Sequence, residues 1–360
     1  MRPSPEDLAL LRGLVEIPST SRREGEAVEW LVARMSERGF RGSVDDAGNA
    51  VGEIGSGPMH VVLLGHIDTV PGQIPVRIEG DELVGRGAVD AKGALAAFVA
   101  AATHAVDGVR VTVVGAVEEE SPTSAGARYR ATLAAPDWCV IGEPSGWDAV
   151  AVAYKGRLVL RIALTRAARH GAAPGPTVAE ESLALWELLR AAAAPHATST
   201  RAFERLDCRL EALQTADPDG LVERAEVRVG YRVPPGLDQR TIADEALAVL
   251  RDSTQAPDGS AIDVAVLAEE QPVRTARTTG LARAFSRAIA DAGGQATFKE
   301  KSGTSDMNLL ARAWHCPMVA YGPGDSRYDH TPIERLGLAD YGRAISVLRG
   351  VLRRATDRII

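Results

Sequence analysis

Residues 109–122, VRVTVVGAVEEESP, do most to constrain what this chain can fold into. A nearly continuous apolar run cannot alternate between core and solvent. It predicts a strand covered on both faces, as in the middle of a parallel sheet. The strand then delivers three adjacent carboxylates, Glu118, Glu119 and Glu120. Adjacent anions raise one another's pKa unless a cation lies near. Charge gathered at a strand's carboxyl end is how open α/β sheets build ligand sites.

A second apolar run, VVLLGHIDTV at 61–70, ends in the same manner. Alternate strand side chains share a face, so His66 and Asp68 are predicted to stand side by side. Helical spacing covers 5–16 and 24–38, with Ser4, Pro5 and Asp7 reading as an N-cap, a first-turn proline and a capping box. Strand-like runs lie at 49–54, 60–65 and 137–143, and the Ala-rich stretch 93–106 reads as a buried helix. Strands alternating with helices predict an α/β fold with a mixed, mostly parallel sheet and flanking helices.

The texture changes near residue 150. The stretch 149–166 alternates apolar with polar residues, as in a sheet with one solvated face. A helix at 176–194, a strand at 225–233, a helix at 238–252 and a strand at 262–268 follow. The expectation is a smaller α+β domain, 150–269, interrupting a sheet domain made of 1–149 and 270–360. A helix at 279–292, a strand within CPMVAYGPG and a closing helix at 337–355 complete the latter. Residues 191–202 are a weak linker-like candidate. A chain of 360 residues accommodates two such domains.

Composition narrows the function. The net charge of −7 gives no reason to expect generic nucleic-acid binding. Three cysteines without a CxxC pair fit a reduced, cytoplasmic setting. The first twenty residues do not read as a signal peptide, and no run of 18 apolar residues predicts a membrane span.

Five polar clusters interrupt apolar or glycine-rich sequence: His66 with Asp68, Asp90 in GRGAVDAKG, Glu118–Glu120, Glu143 in VIGEPSG, and His330 in SRYDHTP. Singly, each has a bland reading: a structural histidine, turn chemistry, a solvated acidic face. Together they supply nitrogen and oxygen donors that suit Zn²⁺, and also Co²⁺ or Mn²⁺. A metal pair ~3.5–4 Å apart shares a carboxylate, and this inventory contains several. The chain has no HExxH, and Ser145 sits in GEPSG rather than in a G-x-S-x-G elbow.

GHIDTVPG, GRGAVDAKGALAAF, EEE, VIGEPS and the late DHTP resemble, in order and spacing, the motifs of the zinc-dependent aminoacylase and carboxypeptidase superfamily. Succinyl-diaminopimelate desuccinylase and acetylornithine deacetylase belong to it. The resemblance implies a di-zinc aminopeptidase-like catalytic domain carrying two Zn²⁺ per subunit. His66 and Glu143 would hold one ion, Glu120 and His330 the other, and Asp90 would bridge them. Glu119 would be the general base, and Asp68 would fix the His66 tautomer. Glu118 stands where relatives usually carry Asp. The inserted domain would be a lid and the surface of a homodimer. From it His170, in ARHGAAPGP, would stabilise the oxyanion of a partner subunit's site. Arg232, in GYRVPPG, would grip a substrate carboxylate with Gly303, Thr304 and Ser305 of SGTSD. Relatives place an asparagine about a dozen residues before that arginine, and DPDGLVERAE has none.

Within the superfamily, GHIDTVPGQIPVRIEGDELVGRGAVDAKG and KSGTSDMNLLARAWHCPMVAYGPGDSRYDHTP look most like the hydrolases of carrier-protein lysine biosynthesis. These free lysine or ornithine from the C-terminal glutamate of a small acidic carrier protein. That substrate would call for an acidic pocket for the side-chain ammonium, with Glu118, Asp325 and Asp329 as candidates, and for a local arginine patch to offset the chain's own negative charge. The rival activity is deacylation of a small N-acyl amino acid. A binding protein on an inactive hydrolase fold would instead have a broken ligand set, and this one is intact.

Overall fold

The apolar run forms the strand Val109–Ala116 inside a nine-stranded sheet. A computed structural model describes residues 1–104, 106–216, 220–253 and 261–356. The chain divides into two units. One comprises Met1–Ala153, Arg274–Glu300 and Ser305–Ile360; the other comprises Tyr154–Val273 and Lys301–Thr304.

In the first unit, Val109–Ala116, Met59–His66, Trp138–Gly142 and Met318–Ala320 lie side by side, parallel. Antiparallel strands extend both sides: Ala50–Gly55 pairs with Val109–Ala116, and Ala149–Tyr154 with Met318–Ala320. Helices flank the sheet. Every residue of Lys92–Ala102 is buried, since its alanines let it lie close between the sheet and the helix Leu338–Ala355. This α/β sheet with flanking helices, and a separate α+β unit, is the architecture the sequence predicts.

The second unit is a four-stranded antiparallel sheet, ordered Asp207–Ala216, Val222–Val233, Gly156–Ala167, Ala261–Glu270. Its core face carries Leu158, Leu160, Ile162, Val227, Val229 and Tyr231, packed against the helices Val178–Ala193 and Gln239–Ser253.

Local expectations fare unevenly. The first helix is Pro5–Glu16, with Ser4 Oγ accepting the Asp7 N–H at 3.1 Å. The Asp7 carboxylate faces Arg38 Nη1 at 3.1 Å, so the second half of the expected capping box is not made. Residues 149–154 do not alternate. Ala149–Tyr154 is buried throughout within the large sheet, and the alternating strand begins at Gly156. Small alanines between valines mimic a period of two there.

Candidate metal centre

Three of the four parallel strands, Val109–Ala116, Met59–His66 and Trp138–Gly142, end level. His66 pairs with Ala116 across one ladder, and Gly65 with Gly142 across the other. His66, Glu118–Glu120 and Glu143 therefore leave the sheet at one edge, although distant in sequence. Alignment of strand ends, and not proximity in the chain, gathers these donors.

Buried carboxylates shape the acidic turn. Asp68 is fully buried and accepts the backbone N–H groups of Glu119 at 3.1 Å and Glu120 at 3.0 Å, and the Ser21 hydroxyl at 2.7 Å. Glu24 Oε1 accepts the Glu118 N–H at 3.1 Å. Glu118 is left-handed, at φ 61°, an unusual state for a residue with a side chain. The clamp aims Glu119 and Glu120 at the His66 side. Glu118 itself turns to Thr123, Ser121 and Arg22, the last at 3.5 Å. It is thus a turn residue with partners of its own. Asp325 is likewise held by Arg327 Nη2 at 2.6 Å.

Asp90 sits in a glycine-dependent loop. Gly87 adopts φ 83°, and a Cβ on Gly93 would lie 2.3 Å from the Ala88 carbonyl oxygen. Glu334, with no exposed surface, holds this loop. One oxygen accepts the N–H groups of Val89 at 2.9 Å and Asp90 at 3.1 Å, and the other faces Arg86 Nη1 at 2.7 Å. Replacing Glu334 by alanine leaves two amides without an acceptor and takes the counter-charge from a half-buried guanidinium. We expect it to cost about 3–5 kcal/mol of stability and to weaken metal affinity roughly 10–100-fold by releasing Asp90. Chemical denaturation and metal titration measure the two effects; an unchanged metal affinity would show that Asp90 needs no such support.

The donors converge. Asp90 Oδ1 is 3.1 Å from His66 Nε2, and Asp90 Oδ2 is 3.0 Å from His330 Nε2. His330 Nε2 also lies 2.9 Å from Glu120 Oε1. Ligand atoms of His66, Glu119 and Glu120 lie within 4.8 Å of one another, as do those of Asp90, Glu120 and His330. His330 occupies a left-handed backbone state, φ 60°, the kind of strain found at functional sites. His66 Nδ1–H donates to the Asp68 backbone carbonyl at 2.9 Å, whereas the Asp68 carboxylate is 3.5 Å away. Asp68 thus faces the Nδ1 side of His66 with its main-chain carbonyl and, farther off, with the carboxylate that also serves the acidic turn.

The electrostatics fit a cation. Hydrogen bonds to Asp90 and Glu120 push the His330 pKa up to about 10. Burial opposes the charged form of His66, yet Asp68 and Asp90 outweigh it and raise its pKa well above the ordinary value. Burial raises the Asp90 pKa, but the two imidazoles overcome it and hold the carboxylate ionised. Two imidazoles are made to carry positive charge by the carboxylates around them, so the cluster's own preference is for cations at that spot. Glu119 goes the other way. Burial, with Glu143, Asp306 and Glu120 nearby and against the pull of His66, lifts its pKa well above normal.

The remaining candidates divide between the two units. His170 is exposed in a loop of the second unit, with Nδ1 accepting the Ala172 N–H at 3.1 Å. Arg232 stands on the strand Val222–Val233, and Gly303 and Thr304 also belong to that unit. Ser305 belongs to the first unit. It caps the helix Asp306–Trp314 and exchanges hydrogen bonds with Asn308, so its hydroxyl serves the helix. In DPDGLVERAE, residues 217–219 lie outside the described residues. Sequence reasoning missed Glu24, Glu334 and Asp306. Asp306 is 3% exposed, and burial lifts its pKa to about 7 beside His66 and Asp68. An acid among apolar helix neighbours was the available signal for it; Glu24 and Glu334 gave none.

A family model described as peptidase family M20/M25/M40 matches residues 62–354. A LysW-lysine hydrolase of Deinococcus radiodurans is 44% identical over 98% of this chain and 99% of its own length. A tripeptidase from Staphylococcus aureus superposes with a TM-score of 0.80 at 16% identity, covering 99% of this chain and all of the other. The Bacillus subtilis YXEP protein, described as a dinuclear metal-binding peptidase, superposes at 0.70 with 15% identity and 96% of each chain covered. No described helix is long and apolar enough to cross a membrane. With its metal-ligand cluster at the edge of this sheet, the chain belongs to peptidase family M20/M25/M40 and is a metal-dependent hydrolase.

Proposed function

We propose that this enzyme hydrolyses the isopeptide bond between the C-terminal glutamate of an acidic carrier protein and lysine or ornithine, releasing the free amino acid for biosynthesis. The observation that carries the chemistry is Asp90, whose two oxygens face one imidazole each, His66 at 3.1 Å and His330 at 3.0 Å. A bridging carboxylate needs that disposition. The carrier-linked substrate is supported by the 44% identity to a LysW-lysine hydrolase along nearly the whole chain.

His66, Asp90 and Glu143 would hold one Zn²⁺, and Asp90, Glu120 and His330 the other; Co²⁺ or Mn²⁺ suits the same donors. When bound, such a pair polarises the scissile carbonyl and acidifies water. The protein's own part is proton handling. Glu119, half-buried and raised in pKa, would take a proton from the attacking water on its carboxylate and pass it to the departing amine. Asp68 would keep Glu119 and Glu120 in register through their amides. Arg232 would grip the substrate carboxylate, with Gly303, Thr304 and Ser305 lining the approach. His170 would steady the oxyanion of a partner's site in a homodimer formed by the second unit.

The test is direct. Metal-reconstituted enzyme given the carrier–lysine adduct is expected to release lysine, and to turn over free N-acetylornithine poorly. Efficient use of N-acetylornithine with no action on the adduct would assign it as a small-molecule deacylase instead. In the same assay, an equal mixture of His170→Ala and Asp90→Ala chains regains activity if His170 serves the partner's site; no gain places it within its own chain.

A further inference from the structure

A cavity of about 590 Å³ lies wholly within the second unit. Three arginines line it: Arg205, Arg209 and Arg232. The sheet explains their grouping. Asp207 pairs with Arg232 and Arg209 with Gly230 across adjacent antiparallel strands. Positions two apart share a face, so Arg209 and Arg232 are diagonal neighbours, roughly 7–8 Å apart at the backbone. Gly230, between them, has no side chain, and the Glu211 carboxylate lies over it.

Neither arginine is satisfied. Arg232 Nη1 is buried with no hydrogen-bond partner. Arg209 is exposed, and no hydrogen bond or ion pair involves its side chain among the described residues. Burial, then Arg157 and, more weakly, Arg209, depress the Arg232 pKa against the pull of Glu211 and Glu270. The carboxylates in the cavity wall do not settle this. Asp207 is taken by Lys155 Nζ at 2.7 Å, a buried ammonium that also donates to the carbonyls of Ala202 and Arg205. Glu211 lies over Gly230, where a Cβ would stand 2.1 Å from its Oε1, and faces Arg228 at 3.8 Å. That face of the sheet already admits one carboxylate of the chain's own. Two guanidiniums remain turned to the cavity.

We propose that this cavity binds two substrate carboxylates, and that Arg209 is the specificity-determining residue for the second. The inference rests on the carrier-protein reading, which supplies the chemistry. An amino acid joined through the glutamate γ-carboxyl leaves two free carboxylates flanking the scissile amide, one on the lysine or ornithine and one on the carrier's last residue. An N-acetyl or N-butyryl amino acid offers only one. Arg232 takes the carboxylate of the released amino acid, and Arg209 takes the glutamate α-carboxylate by a fork-to-fork contact. This is also the local positive patch that an acidic carrier needs on a chain of net charge −7.

The experiment compares two lysine amides that differ by that carboxylate. γ-Glutamyl-lysine, joined at the lysine α-amine, carries it; Nα-(4-aminobutyryl)-lysine, which keeps the amine, does not. The readout is the ratio of kcat/KM for the first over the second, in the wild-type enzyme and in Arg209→Ala and Arg209→Glu. We expect the ratio to fall roughly 10–100-fold in Arg209→Ala, through KM, and further in Arg209→Glu. A ratio within about twofold of wild type in both variants overturns the assignment. A purely structural role would move both substrates together and leave the ratio unchanged, and so overturns it equally. Should the wild-type enzyme cleave neither the carrier adduct nor γ-glutamyl-lysine, the carrier reading itself fails and the assignment falls with it; an unchanged ratio in an enzyme that does cleave the adduct overturns Arg209 alone.

Discussion

Replacing Asp90 by alanine is expected to abolish both metal binding and hydrolysis. Asp90 meets both imidazoles, His66 at 3.1 Å and His330 at 3.0 Å. Without it, His66 and His330 lose their common counter-charge, and Glu119 and Glu120 face each other with less compensation. Several kcal/mol of transition-state stabilisation would go with the ions, a loss in kcat/KM of more than about 10³-fold. Elemental analysis and steady-state kinetics on the same preparation measure this. Full metal content in an inactive variant would mean that Asp90 does not bridge.

Glu119→Gln separates chemistry from metal binding. The change keeps volume and hydrogen-bonding shape but removes the ability to exchange a proton. Burial already favours the neutral form of Glu119 in the cluster's free state, so an uncharged amide should be accommodated. We expect kcat to fall about 10²–10⁴-fold while bound metal stays at the wild-type level. The geometry leaves a sharp alternative, because a Glu119 oxygen lies within 4.8 Å of donor atoms on His66 and Glu120. If the variant loses metal together with activity, Glu119 is a ligand; if it retains ordinary kcat, the proton passes through another group.

Much of this architecture was legible because the signals were long or dense. The helix Pro5–Glu16 carries its cap and proline in sequence, and Val109–Ala116 is too apolar for anything but the sheet interior. The five clusters were legible as a set because chemistry seldom leaves two histidines and so many acids at the ends of apolar strands by accident. What escaped falls into two kinds. Arg77–Glu79 and Glu82–Val84 are three residues each, too short to establish a period. Glu24 and Glu334 do their work through backbone amides far along the chain, and a partner 94 or 244 residues away leaves no local mark. Ser305 differs from both: SGTSD is expected to hold a substrate carboxylate, and the fold spends the Ser305 hydroxyl on capping a helix.

Asp68 carries a consequence for how this enzyme would respond to mutation. Its carboxylate is spent on three donors from elsewhere, Ser21, Glu119 and Glu120. A survey of variants would rank position 68 beside the reacting groups, although its oxygens hold two main-chain amides and the Ser21 hydroxyl. The damage would travel through posture: two side chains that point together are hung from one hook, so loosening the hook would disarm at once the proposed proton carrier and a proposed ligand.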